Sequence, residues 1–263
     1  MRRRWRVWGS SSLIALASVA ACGDDPTFTL DPAPRGDTLV AMDSVAGLWQ
    51  TAPALPGPRM GHAALVFGGD LVVAGGITGP GEHTASVIRL RPGADAWDSL
   101  APMPYELTGL ALAVVRDTLY AVGGDGPLLL RPERALFAYD AGADTWGERA
   151  QIPDWRVGTE AVAVADELWL VGGYVSRTTE HGPIVPGDTI LVYEPGADEW
   201  RYTGAVPNPR GDFAAVQTPD GRSYLVGGVN GLFPHLRPDA DVFDEATGEW
   251  RTITDPMGTH RVA

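Results

Sequence analysis

The sequence contains no lysine: all twenty of its basic residues are arginine, and against 33 acidic residues they leave a formal net charge of −13. A protein that neutralises phosphates needs a basic face, so this balance excludes a nucleic-acid binder. It equally excludes adhesion to anionic lipid by charge alone. Cysteine is nearly absent; the single Cys22 rules out an internal disulfide even in an oxidising compartment, so stability must come from packing. The apolar run from Leu13 to Ala21 is nine residues long, too short to span a bilayer. Long helices are excluded too, because 33 glycines and 22 prolines make up about a fifth of the 263 residues. What remains is a chain of turns and short strands with a globular apolar fraction of 44%.

Residues 1–9, MRRRWRVWG, carry four arginines ahead of the apolar run, which fits a secretory signal. The run ends in Val19-Ala20-Ala21-Cys22, small residues leading into the only cysteine, and this resembles a bacterial lipoprotein signal. The resemblance implies a signal peptide over 1–21, a lipidated Cys22 as mature N-terminus and an exported protein held to the membrane by that lipid. An ordinary signal cleaved near Ala21, leaving Cys22 a free thiol, is the alternative. Loss of residues 1–21 removes four arginines and moves the formal charge from −13 to −17. Residues 22–36, with three prolines and three aspartates, read as an extended tether.

From residue 37 onward one unit repeats. Tryptophans at 49, 97, 146, 200 and 250 are separated by 48, 49, 54 and 50 residues. Each of the first four is followed by a glycine pair, at 75–76, 123–124, 172–173 and 227–228, at offsets of 26, 26, 26 and 27. A fixed period near fifty marks a repeat architecture whose units need neighbours to bury their faces. Within a unit, two short β-rich runs meet at a turn, as at 62–67 with 71–74 and 111–115 with 118–122. After the glycine pair come a variable loop, a third run (87–91, 136–140, 190–194, 241–244), a turn such as PGADAW, and a fourth strand opened by the tryptophan. Four strands per fifty residues predict an all-β propeller blade.

The glycine pair closing the second strand, the aromatic in the third, the tryptophan opening the fourth, and Pro58-Arg59-Met60-Gly61-His62-Ala63 opening a first strand together resemble Kelch repeats. The resemblance covers 37–263 and implies a propeller, usually of five to seven blades, in which the tryptophan packs between blades. Leu39–Trp49 matches Leu136–Trp146 in length, with Leu, Ala, Asp, Ala and Trp at equal positions, so it supplies a third and fourth strand ahead of the first complete blade. His260 to Ala263 begin a first strand. The expectation is therefore four complete blades plus a composite, incomplete closing blade, in a chain that reads as truncated at its C-terminus.

Propeller ligands usually sit on the face formed by the loops between strands two and three and by the connections between blades. The tenth position after each tryptophan lies there: Arg59, Leu107, Arg156, Arg210 and His260. Arg59, Arg156 and Arg210, with His62, are the candidate ligand-binding residues. Guanidinium forks match carboxylates, so this set points to an anionic ligand; the alternative is that each arginine ties neighbouring loops together. Glu160 stands where other units have Ala63, Ala111 and Ala214, and is the candidate catalytic acid or base if the protein is an enzyme. His62, His83, His181 and His235 lack metal-ligand spacing, and there is no phosphate loop or G-x-S-x-G elbow, so no metal or cofactor is expected. Two functions follow. One is a membrane-tethered binding module for a protein or glycan at the cell envelope. The other is an enzyme resembling sialic-acid mutarotases, whose acidic sugar the arginines would hold. Copper-radical chemistry of the galactose-oxidase type needs a cysteine crosslinked to tyrosine, and the only cysteine lies at the signal junction.

Overall fold

The computed structural model describes residues 52–127, 133–178, 183–218, 220–230 and 236–254. The signal, the tether with Cys22, the segment 39–51 and the C-terminal 255–263 lie outside the described residues. Within them the repeating unit folds four times into a four-stranded antiparallel sheet. The first blade comprises Ala63–Phe67, Asp70–Ala74, Val87–Leu90 and Asp98–Leu100. The second comprises Ala111–Val115, Thr118–Val122, Leu136–Asp140 and Thr145–Glu148. The third is Glu160–Val164, Glu167–Val171, Thr189–Glu194 and Glu199–Ala205, and the fourth Ala214–Thr218, Arg222–Val226, Ala240–Asp244 and Glu249–Ile253. The first strands of successive blades lie side by side, which sets them around a common centre. This is the expected β-propeller arrangement, with strand bounds within about a residue of those read from the sequence.

Side chains alternate across each strand, so each sheet has two faces, and in the second and third blades both are buried against neighbouring blades. On Thr118–Val122, Leu119 and Ala121 join a core with Leu65, Val72 and Val87 of the first blade. Tyr120 and Val122 turn the other way, into a core with Leu168, Leu170, Leu191 and Tyr193 of the third. A third core, between the last two blades, joins Val162, Val171 and Val192 to Phe213, Leu225 and Phe243. Two-sided burial explains why these strands read as continuous apolar runs.

Aromatic side chains tie the seams. Across the outer strand pairs, Tyr139–Trp146, Tyr193–Trp200 and Phe243–Trp250 stack at 5.1, 5.2 and 5.2 Å between ring centroids. Each third-strand aromatic also meets a ring of the preceding blade: Phe67–Tyr139, Tyr120–Tyr193 and Trp169–Phe243, at 6.2, 5.8 and 5.1 Å. The tryptophan indoles reach back as well. Trp97, Trp146 and Trp200 donate from Nε1 to the carbonyls of Pro53, Ala101 and Ala150 at 3.0, 2.9 and 2.7 Å. Two residues before the latter two tryptophans, Asp144 and Asp198 accept from the backbone N–H of Ala101 and Ala150 at 2.8 and 2.9 Å, and from the hydroxyls of Tyr139 and Tyr193 at 2.6 and 2.7 Å. One carboxylate thus fastens its own turn and third strand to the preceding blade.

The glycine pairs turn the chain with both residues left-handed, for instance φ of 67° and 98° at Gly75 and Gly76. A Cβ on Gly75 would also stand 2.4 Å from the Leu107 carbonyl of the next blade. Beyond the pair the sequence reads as a variable loop, and the structure adds local pairing within it. The chain goes on pairing with the entry to its own blade, through Met60↔Ile77, Thr108↔Asp125 and Gly211↔Val229. Ile77–Gly79 with Glu82–His83 forms a small hairpin, and Trp155–Val157, Tyr174–Ser176 and Val185–Pro186 form a three-stranded sheet. Backbone groups held this close to other backbone pair with it rather than remain unsatisfied.

Removing the Tyr193 hydroxyl tests the seam. Tyr193→Phe is expected to lower unfolding free energy by about 1.5–3 kcal/mol at pH 7, the range for a hydrogen bond to a charged group. The bonds from Ala150 and Tyr193 hold the Asp198 carboxyl below its usual range. Its contribution is therefore present above the unfolded pKa and lost as pH falls through the depressed folded one, and the wild-type advantage in urea unfolding should shrink over that acid window.

Candidate functional site

The loop face is built around a hydrogen-bonded row of left-handed residues, one from each described blade. Gly61, Gly109, Gly158 and Asp212, each two residues past the tenth position after a tryptophan, have φ of 64°, 61°, 60° and 48°. The N–H of Gly109 donates to Gly61 at 2.7 Å, that of Gly158 to Gly109 at 3.0 Å, and that of Asp212 to Gly158 at 3.0 Å. Neighbouring blades crowd these positions: a Cβ on Gly61 would meet Thr108 Oγ1 at 2.4 Å. Three places in the row are glycine, and the fourth holds an aspartate, a residue that tolerates the left-handed region better than most.

Arg59, Arg156 and Arg210 stand two residues before members of this row, and their guanidiniums turn inward to the blade. Arg59 donates to the carbonyl of Gly75 at 2.8 Å and to Ser86 Oγ at 2.7 Å. Arg156 donates to the Gly172 carbonyl at 3.0 Å, to Thr189 Oγ1 at 2.9 Å, and to both carboxylate oxygens of Asp154 at 2.9 and 2.8 Å. Arg210 reaches the Gly227 carbonyl at 2.9 Å and Asp241 at 2.7 Å, with Asp239 at 3.6 Å. Arg156 and Arg210 have 0% of their surface exposed. Each arginine fastens the first glycine of its pair to the start of the third strand. In the second blade Leu107 takes the same position, fully buried, opposite Ala135. The partner changes with it: Ser86, Thr189 and Asp239 face the arginines, alanine faces the leucine.

His62 occupies the place of Leu110, Thr159 and Phe213, side chains that pack at the seam with the preceding blade. Its Nδ1 is buried without a partner among the described residues, and burial first, then the Arg59 charge, lowers its pKa. Glu160 heads the inner strand of the third blade, half-buried, and burial pushes its carboxyl up to about 8. The structure thus brings His62 beside Arg59 but does not gather the other sequence-derived candidates: the three arginines lie within separate blades and Glu160 on the inner strand of the third. His260 lies outside the described residues. Sequence reasoning missed Tyr174, whose hydroxyl bonds Asp212; burial and that carboxylate push it up to about 12, while burial raises Asp212. No group of three metal-ligating side chains occurs among the described residues.

The arginines are tested by truncation. Arg156→Ala strands the buried Asp154 carboxylate, and a loss of about 3–5 kcal/mol is expected in chemical unfolding. Arg59→Leu combined with Ser86→Ala copies the Leu107/Ala135 pairing and should cost less than Arg59→Leu alone, because the Ser86 hydroxyl is no longer left against a leucine, whereas the Gly75 carbonyl loses its donor in both variants.

Residues 58–104 match the Kelch motif model. The chain is 28% identical over 203 residues to Kelch-like protein 35 of Mus musculus, covering 76% of this chain and 32% of that protein. Identity to Kelch-like protein 33 of Homo sapiens is 42% over 59 residues, 20% of this chain and 11% of that protein. Alpha-scruin of Limulus polyphemus is 28% identical over 218 residues, 78% of this chain and 23% of its own length. The chain thus spans a third or less of the curated relatives it matches. Among solved structures, that of YjhT superposes with a TM-score of 0.65 at 16% identity, covering 78% of this chain and 68% of that one, a likeness of fold. The motif over 58–104, the Kelch-like relatives and the repeated four-stranded blades support a Kelch-repeat β-propeller protein.

Proposed function

We propose that this protein is a non-catalytic binding module that recognises a protein partner through its loop face. One observation carries the reading. Of the five large hydrophobic side chains exposed among the described residues, four lie on that face: Met60 and Tyr105 in the connections between blades, Val185 and Leu236 in the loops after the glycine pairs. The opposite, turn-bearing face presents Asp95, Asp117, Asp140, Asp166, Asp198 and Asp220 to solvent. A solvated acidic face keeps a protein soluble, whereas apolar side chains on shaped loops suit a protein interface. Protein binding, which the Kelch-like relatives favour over catalysis, is therefore preferred to a glycan ligand. The enzyme reading asks the arginines to hold a carboxylate, and their donors are engaged within the fold.

The proposal includes a tether and a closing blade. Residues 1–22 support export with lipidation at Cys22, and residues 22–36 then lift the propeller off a membrane at the cell envelope. For closure, the support is the Trp97 to Pro53 hydrogen bond, which matches those from Trp146 to Ala101 and Trp200 to Ala150. Pro53 thereby stands where an outer strand of a preceding blade ends, as expected if Leu39–Trp49 supplies that strand.

The test combines fractionation with capture. Tyr105→Glu with Leu236→Glu should abolish recovery of cross-linked partner proteins from envelope extracts while the fold is retained, and Asp117→Asn with Asp166→Asn on the turn face should not. Cys22→Ser should move the protein from the membrane fraction to the soluble one. Unchanged capture by the loop-face variant rejects the interface; unchanged membrane association rejects the lipid.

A further inference from the structure

Resting on the loop-face reading, we propose that the central channel receives a cationic side chain, the ammonium or guanidinium of a partner protein's lysine or arginine, and that Glu160 pairs with it. Glu160 opens the inner strand Glu160–Val164, which packs beside the inner strands Ala111–Val115 and Ala214–Thr218. At the matching position the other blades carry Ala63, Ala111 and Ala214, so the neighbouring inner strands present no bulky or charged side chain at that level. No hydrogen bond or ion pair joins Glu160 to any described residue. It keeps some solvent contact while the body of the protein encloses it, as expected on a channel wall.

An enclosed carboxyl without a partner is costly, and no cation among the described residues pairs with it. The arginines of the adjacent entries, Arg156 and Arg210, are committed to Asp154, Asp241 and backbone carbonyls. The inner strands on either side hold no titratable group. Across the hairpin, Glu167 at the far end is paired with Arg201. At the mouth stands Asp212 with the Tyr174 hydroxyl, a further negative group rather than a counter-ion. Acidic groups set in low-dielectric walls focus an attractive field on an entering cation. Met60, Val185 and Leu236, exposed on the same face, offer apolar surface that a partner protein would cover, shielding the pair from water.

The probe is a blocked seven-residue peptide with one central lysine, bound to the full chain; its controls are the same peptide with glutamine and free lysine amide. Because the carboxyl titrates near 8, the peptide's affinity should rise about tenfold per pH unit from 6 towards 8 and then level off. Glu160→Gln should lose at least tenfold in affinity at pH 8 and show no pH dependence. The variant should fold at least as well at high pH. With its folded pKa above the ordinary glutamate range, the wild-type carboxyl costs stability as pH rises from that range to about 8, and glutamine removes that cost. Equal binding by Glu160→Gln, a pH-independent wild type or equal binding of the glutamine peptide would each overturn the proposal. Free lysine amide binding as tightly as the peptide would overturn the choice of a protein side chain. Tyr105→Glu with Leu236→Glu should leave Glu160's own titration unchanged, so failure of the channel site and failure of the interface are read separately.

Discussion

Every hydrophobic core described in this protein lies between two blades, so the burial that holds any one sheet together is supplied by its neighbours. That constraint orders the rest. Tyr193 belongs to the third blade, yet its ring meets Tyr120 of the second, and its hydroxyl bonds a carboxylate that also holds Ala150. The tryptophans do the same from the outer strand. A sheet with both faces covered has its rim, its turns and its inner end left for contact with anything else.

The inner end is where the polar groups are disposed with most consequence. Three arginines that would make the mouth cationic are drawn into the blades to fasten glycine turns to third strands. Buried pairs of this kind contribute less net stability than their geometry suggests, and breaking them costs more than they give. With those cations committed, the inner-strand position that holds Glu160 is alanine in the other three blades, and Asp212 ends the adjoining row of left-handed residues. Among the described residues, the arginine positions therefore do not make this end of the blades cationic.

Much of the architecture was legible because it rests on residues with few alternatives. Glycine pairs are required by left-handed backbone and by the approach of the next blade, and tryptophan by its size and its indole donor, so both keep register in the sequence. The arginine ties were harder to read, since a guanidinium serves a ligand and a buried carbonyl equally well. A signal did exist: Ser86, Thr189 and Asp239 accompany the arginines, while Ala135 accompanies Leu107. The aspartates of the AGAD and PGAD turns looked like ordinary turn formers, because their second partner lies some 43 to 48 residues away. The small sheets beyond the glycine pairs were hidden for a different reason: their pairing is set by proximity to the blade entry, and their sequences carry no strand alternation.

Amide hydrogen exchange across one seam tests the dependence between blades most directly. Leu191→Ala opens the core between the second and third blades at a cost of about 2–5 kcal/mol. If burial is shared, protection in Thr118–Val122 of the second blade should fall together with that in Thr189–Glu194 of the third, by similar free energies. A loss confined to the third blade, with Thr118–Val122 protected as in the wild type, would contradict the account.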